Sequence, residues 1–401
     1  MPLLPFRPSV PCVLRQLALG LSVALLPWAA LGQERQEPAR SQGAAPVPPA
    51  KGKTAASASP SASSTASRVS PPGATPIRLR VVGGLGLITQ YTQFEQPFWT
   101  RDLPRLTGGR LTADIVPFDR AGVPGVEMLR LLQLGVVPFG TALMSSFSAQ
   151  YPQYTAVDLP GLSNDIPSLR VAAAAFRPYL EQALRDEHGV EVLAVYVYPA
   201  QITFCKRPLA RLDDLAGRRV RVSSPAQADF ITALGAEPVL TGFAQQRSSL
   251  ESGDSDCAVT GAMSGNTLGL DTITTHLYPL PLNWGMAVFG ANMAAWNALP
   301  PDARTLLRTE LARLEAAIWA QAERETVEGV ACNTGQSGCQ TGRKGSMVLV
   351  PVSAQDEGRR MEVFRTSVLP KWQRRCAVRC DEIWDRTIGA AGRPAVRGGV
   401  P

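Results

Sequence analysis

The chain has 401 residues, enough for two ordinary domains once non-globular stretches are set aside. Its net charge of +7 comes from Arg far more than Lys. The basic residues are scattered and not interleaved with aromatics, which argues against a nucleic-acid partner and leaves a weak positive field suited to small anions in a cleft.

Residues 1–32 read as a cleavable secretory signal. Arg7 and Arg15 make a positive start, Leu17 to Leu26 an apolar core, and Ala30-Leu31-Gly32 supplies small residues for cleavage. The apolar run is too short to span a bilayer and Pro27 interrupts it, so the product is expected to be exported and not membrane-embedded. Losing Arg7 and Arg15 lowers the charge to +5. Cys12 precedes the apolar run and is no lipid-anchor cysteine. Residues 33–76, rich in Pro, Ala and Ser, cannot bury enough surface to offset their ordering entropy and read as a disordered linker. A disordered tail is expected at 391–401. No later stretch is apolar enough to cross a membrane.

From Ile77 strand-like and helix-like stretches alternate. Ile77 to Val82 reads as a strand, and Tyr91 to Leu106 as an amphipathic helix stopped by Thr107-Gly108-Gly109. Leu111 to Val116 alternates again, Val126 to Leu134 is a short helix closed by Gly135, and Phe139 to Leu143 is a strand. Leu169 to Asp186 is helical and Val190 to Val197 strongly strand-like. A second series starts near Gln201 and includes Val220 to Val222, Pro238 to Leu240 and Asp256 to Thr260. A long helix follows from about Pro301 to Glu328, with Leu307, Leu311, Leu314 and Ile318 on one stripe. The rhythm is that of βαβ units and a mostly parallel sheet, in two α/β lobes with a crevice between them.

Arg221 stands out. Val220-Arg221-Val222 alternates as a strand does, and Ser224-Pro225-Ala226-Gln227 reads as a helix start: an N-cap, Pro at the first helical position, and Gln closing a capping box. The helix runs through Phe230, Ile231 and Leu234 to Gly235. A cation at the carboxyl end of a strand, facing a helix start, is placed to hold a carboxylate, and a guanidinium fits one better than an ammonium. The competing reading is a solvated surface Arg.

Six cysteines remain after the signal: Cys205, Cys257, Cys332, Cys339, Cys376 and Cys380. An even number in an exported chain points to disulfides. Metal binding competes, but there is no Cys-x-x-Cys pair and neither His188 nor His276 is near a cysteine in sequence. Cys205 is expected to pair with Cys257, and the last four among themselves with connectivity open.

Enzyme motifs are incomplete. Gly84-Leu85-Gly86 follows a strand but lacks the third glycine and the acidic residue of a dinucleotide loop, and reads as a tight turn at the cleft mouth. Gly261-Ala262-Met263-Ser264-Gly265 lacks the spacing of a hydrolase elbow. His188 is expected at a helix end and Asp213-Asp214 in a solvated turn. No cofactor or metal is implied.

Five stretches together resemble the solute-binding proteins of TRAP (tripartite ATP-independent periplasmic) transporters: Thr107-Gly108-Gly109-Arg110-Leu111; Asp158-Leu159-Pro160-Gly161-Leu162; Leu215-Ala216-Gly217-Arg218-Arg219-Val220-Arg221-Val222; Leu234-Gly235-Ala236-Glu237-Pro238-Val239; and Asn292 through Trp296 to Leu299-Pro300. The resemblance covers roughly Ile77 to Ala390. It implies an α/β, two-lobed periplasmic-binding-protein fold with a hinge and a long helix spanning both lobes. Lobe I would hold 77–199 plus about 287–315, and lobe II 200–286 plus about 316–390. It also implies a periplasmic monomer that captures a small organic acid and delivers it to membrane permease subunits.

In that family the Arg of the corresponding strand pairs with the ligand carboxylate, and here it is Arg221. Phe243 matches an aromatic that stacks on the ligand, and Thr260 a polar position where many members carry Asn. The family's Val-Asp-Gly turn is Ser255-Asp256-Cys257, so its glycine is lost. Sialic-acid-type members carry a second Arg where this chain has Ala200, and an acid where it has Leu143, next to Met144. Trp284 is expected to close an apolar wall, with Asn283 beside it and Gly84 at the mouth. These departures point to a less polar carboxylate. Two rivals stay open: a receptor of the same fold that signals to a sensor, and a secreted hydrolase using Ser264 and His276.

Overall fold

The computed structural model describes residues 76–376 and 378–391. The expected signal, the expected linker up to Thr75 and the tail beyond Ala391 lie outside these residues. Among the described residues no helix is long and apolar enough to cross a membrane.

Among the described residues eleven strands form two sheets: β1 (Ile77–Gly83), β2 (Leu111–Pro117), β3 (Phe139–Leu143), β4 (Val190–Val197), β5 (Gln201–Cys205), β6 (Arg219–Val222), β7 (Glu237–Leu240), β8 (Cys257–Gly261), β9 (His276–Asn283), β10 (Met286–Asn292) and β11 (Val348–Leu349). The first sheet has the order β2-β1-β3-β10-β4 and the second β11-β9-β5-β8-β6-β7. In the first, β1 pairs parallel with β2 and β3, and β10 lies antiparallel between β3 and β4. In the second, β6 pairs parallel with β7 and β8, while β5 runs antiparallel to β8 and β9.

Both sheets are therefore mixed, which corrects the expected mostly parallel arrangement. The reason is one reversed strand in each sheet, β10 in the first and β5 in the second. The sequence pattern hides two strands, β9 and β10. They run on from one another through Trp284 and Gly285, so the chain passes from the second sheet back into the first. The other passage, from β4 to β5, runs through 198–200.

The helix Pro301–Asn333 extends further than the sequence pattern reached. Leu307, Leu311 and Ile318 are fully buried against the outer face of the first sheet, with Leu314 partly covered. One residue later the helix changes partner, for Trp319 and Ala322 belong to a second core that runs on into the other sheet. β4 is an edge strand, and this helix covers its open edge: Val195 N donates to Glu315 Oε2 at 3.0 Å and Trp319 Nε1 donates to Val195 O at 2.8 Å. Further on, Ala200 N donates to Thr326 Oγ1 and Asn333 Nδ2 to Ala262 O, so the same helix touches the first sheet, the β4–β5 passage and the second lobe.

Cys205 and Cys257 stand opposite each other on β5 and β8 and are bonded. Cys332 is bonded to Cys339 across the turn that ends the long helix, and Cys376 to Cys380 within the last helices. These carboxyl-terminal helices reach back: Trp372 Nε1 donates to Pro152 O and Arg360 Nη1 to Gly161 O.

Candidate functional site

The chain direction places the site. β1, β2 and β3 are parallel and end at Gly83, Pro117 and Leu143; β6, β7 and β8 end at Val222, Leu240 and Gly261. The loops after these ends in both sheets face one cleft of about 610 Å³. From the first lobe come Leu85, Phe118, Asp119, Leu143 and Ser145; from the second come Arg221, Ser223, Thr241, Phe243 and Thr260. Such crevices outside the carboxyl ends of strands are the usual ligand sites of α/β folds.

Arg221 projects from the end of β6 and is 2 % exposed. Nε donates to Thr241 O and Oγ1 at 3.2 and 3.3 Å, and Nη2 donates to Thr241 O at 2.6 Å. Nη1 donates to Val259 O at 3.0 Å and to Gln246 Oε1 at 3.4 Å. Every acceptor is neutral, and no carboxylate pairs with Arg221 among the described residues. Burial alone pushes the guanidinium down to about 10. A buried cation without a counter-charge is costly and is retained where something anionic meets it. The five bonds fix the plane of the guanidinium, and Nη2, with one bond to the protein, keeps a second N–H for the cleft.

The helix start after β6 differs in one detail from the sequence reading. The Ser224 side chain accepts from Gln227 N as an N-cap should, but Gln227 Oε1 accepts from Ser223 N at 2.8 Å rather than from Ser224. The capping box is thus displaced by one residue, and it ties down the cleft residue Ser223.

Of the residues singled out in the sequence, Arg221, Phe243, Thr260 and Leu143 come together on the cleft wall. Four others lie off it. Trp284 is buried in the core, its Nε1 donating to Ser163 O. Asn283 is turned to Gln227, whose Nε2 donates to its Oδ1 at 2.8 Å. Met144 is buried in the apolar core. Gly84 sits behind the wall: its N–H donates to Glu95 Oε2 at 2.6 Å, and a Cβ there would lie 2.9 Å from that oxygen and 3.0 Å from the Tyr198 hydroxyl. Leu85, the next residue, is the one that faces the cleft. Ala200 is buried and off the wall as well.

The sequence reading passed over Tyr198, Gln201, Ser223, Thr241 and Ser146, all on the wall. Their signal was positional: each follows a strand or starts one at a passage between sheets. Among the described residues Arg221 is the single cation on this wall and Asp119 the single acid, with Asp119 Oδ1 accepting from Gly86 N. Glu95 is wholly buried behind the wall, accepting from Gly84 N and from Thr141 Oγ1 at 2.7 Å, and burial pushes its carboxyl up to about 7.

Ser264 lines the cleft, but His276 is engaged with Thr275, its Nδ1 lying 2.8 Å from Thr275 Oγ1, and no hydrogen bond joins it to Ser264 among the described residues. No group of three His, Cys, Asp or Glu side chains is placed to hold a metal ion among the described residues.

Comparison with known proteins agrees with this architecture. The family model of the bacterial extracellular solute-binding proteins, family 7, matches residues 89–336. Among solved structures, an extracytoplasmic solute receptor of Bordetella pertussis that binds pyroglutamic acid is 21% identical, with a TM-score of 0.67 over 77% of this chain and 99% of that one. A TRAP periplasmic solute-binding protein of Desulfovibrio salexigens with bound orotic acid is 16% identical, with a TM-score of 0.69 over 79% and 99%. One of Pseudomonas aeruginosa with bound L-malate is 16% identical, with a TM-score of 0.64 over 75% and 100%. No curated protein matches the chain in sequence. With the family match covering more than half of its length and a two-lobed fold around one cleft, the chain belongs to the bacterial extracellular solute-binding proteins of family 7, the TRAP solute-binding family, whose members are receptors and not enzymes.

Proposed function

We propose that this protein captures a small organic acid in the periplasm and delivers it to the permease subunits of a TRAP transporter, with Arg221 holding the ligand carboxylate. The observation that carries the reading is the buried guanidinium at the cleft, held in place by neutral acceptors and lacking an anionic partner among the described residues. A bidentate carboxylate would supply the missing counter-charge. Phe243, Thr260 and Leu143 surround the rest of the ligand. The relatives that bind pyroglutamic and orotic acids, each with one carboxylate, set the size and class of molecule to expect, and the one that binds the dicarboxylate L-malate marks the alternative.

One cation on the wall balances one carboxylate. A second carboxylate would meet Asp119, and buried groups left unpaired cost about 1–3 kcal/mol each. We therefore expect a monocarboxylate with an apolar or aromatic body in preference to a dicarboxylate or a sugar acid such as sialate. A thermal-shift screen of organic acids tests this, since a ligand that binds only the folded state raises the melting temperature. Arg221→Ala should weaken binding of the best hit at least about tenfold, because breaking a buried charge pair costs about 2–5 kcal/mol, and Arg221→Lys should restore only part of it. The largest shift from sialate or succinate would overturn the ligand class, and unchanged affinity in Arg221→Ala would overturn the role of Arg221.

A further inference from the structure

Asn283 and Trp284 leave the cleft wall for a different task. Ser223, on the wall, donates to Gln227 Oε1 through both its N–H and its Oγ, at 2.8 and 3.1 Å. Gln227 is 1 % exposed and uses its other end on Asn283, which is 5 % exposed: Nε2 donates to Oδ1 at 2.8 Å. Asn283 ends β9, and its side chain also faces the carboxylate of Asp158 and favours its ionised form. Asp158 Oδ1 accepts from the N–H groups of Trp284 and Gly285, both at 3.0 Å. Those two residues are the whole passage from β9 to β10. Gly285 turns there with φ +72, lines the cleft, and accepts from Tyr198 N at 2.9 Å, the first residue of the other passage.

A continuous set of hydrogen bonds therefore runs from the cleft wall of the second lobe, through both strand passages, to the segment that precedes the helix Ile166–His188 of the first lobe. Folding of the helix Pro225–Ala233 does not require it, because Ser224 already caps that helix. Burying an amide costs free energy unless both its ends are satisfied, and Gln227 satisfies both with opposite polarity, so each link fixes the orientation of the next.

We propose that Gln227 and Asn283 are positioning residues that transmit ligand contact at Ser223 to the Trp284–Gly285 passage, making capture and hinge closure a single event. This rests on the cleft being the ligand site. The chain makes the amides of Trp284 and Gly285 report on a residue they do not touch.

Amide hydrogen exchange of the full exported chain tests it, with wild type, Gln227→Met, Asn283→Leu and the double variant compared without ligand. Removing one net hydrogen bond from the chain should speed exchange at Trp284 and Gly285 by about fivefold. The double variant should be no faster than Asn283→Leu alone, since the links act in series. With pyroglutamate as the probe, wild type should gain protection at 283–286, and Gln227→Met should bind while losing that gain. Arg221→Ala separates this inference from the cleft reading: it should abolish binding yet leave exchange at Trp284 and Gly285 in the free protein unchanged. Gln227→Glu keeps the acceptor for Ser223 and loses the donor to Asn283, and it carries the same test should Gln227→Met not fold. Wild-type exchange at Trp284 and Gly285 in the Gln227 variants, or additive effects in the double variant, would overturn the proposal.

Discussion

Glu95 is an acid that no cation reaches among the described residues. Its carboxylate accepts from Gly84 N and Thr141 Oγ1, which favour the ionised form, but burial outweighs both and pushes the group up to about 7. The unfolded chain ionises this carboxyl near its ordinary value, so between that value and about pH 7 the folded state binds the proton more tightly. Stability from this group is therefore present at low pH and lost as pH rises toward 7, by about 3 kcal/mol at most. Glu95→Gln removes the titration. The melting temperatures of wild type and Glu95→Gln, compared from pH 5 to 8, should lie close at pH 5 and diverge above it with the variant higher. A constant gap across that range would show that the carboxyl is not raised. Asp158, pushed up to about 6 by burial, adds a slope of the same sign to both proteins and cancels in the comparison. Arg221 was legible in the sequence because strand, cap and cation sit next to one another. Glu95 was not, because in sequence it is one more polar position in a helix, and only the loops folded over it remove its water.

At the scale of elements, the long helix is the part that needs most from its neighbours. Gly329 lies against the turn after β8: a Cβ there would sit 2.3 Å from Met263 N and 2.5 Å from the Ala262 carbonyl carbon. Those contacts are backbone, which cannot swing aside as a side-chain tip can. Gly329→Ala should cost about 1–3 kcal/mol and lower the melting temperature by several degrees. Val327→Ala, two residues away and 73 % exposed, should change it little. Thermal denaturation of the two variants checks this, and equal melting temperatures would show that the helix can move off the turn. The buried stripe of this helix was legible as Leu307, Leu311 and Ile318. Its last turn was not, since it is completed by Asn333 Nδ2 donating to Ala262 O, a contact 71 residues distant in sequence. β9 was hidden for another reason. Pro279 and Pro281 within His276–Asn283 remove N–H donors, which marks a run as a poor strand, and its ladder with β5 is interrupted between Tyr278 and Asn283.

At the scale of the whole molecule, two strand passages and the helix Pro301–Asn333 run between the lobes among the described residues, the carboxyl-terminal helices bond to both, and the cleft lies between them. This arrangement allows rotation of one lobe on the other while the sheets stay intact, as in hinge closure. A ligand that touches both walls favours the closed state by as much as its contacts differ between the two states. Small-angle scattering should therefore show the radius of gyration falling when wild type is saturated with its best monocarboxylate, and no fall in Arg221→Ala at the same concentration. An unchanged radius in wild type at saturation would mean that capture proceeds without closure.

The sequence by itself determined the alternation of strands and helices, the amphipathic stripe of the long helix, the strand-to-helix context of Arg221 and the resemblance to the TRAP solute-binding family. These are local patterns, set by side-chain periodicity and turn chemistry within a few residues. The mixed pairing of the sheets, the local pairing of the last four cysteines, the placement of Asn283, Trp284, Met144 and Gly84 behind the cleft wall, and the raised carboxyl of Glu95 were decided by tertiary structure alone. Each depends on which distant segment arrives beside the residue and excludes water from it, and burial and partner are properties of that encounter.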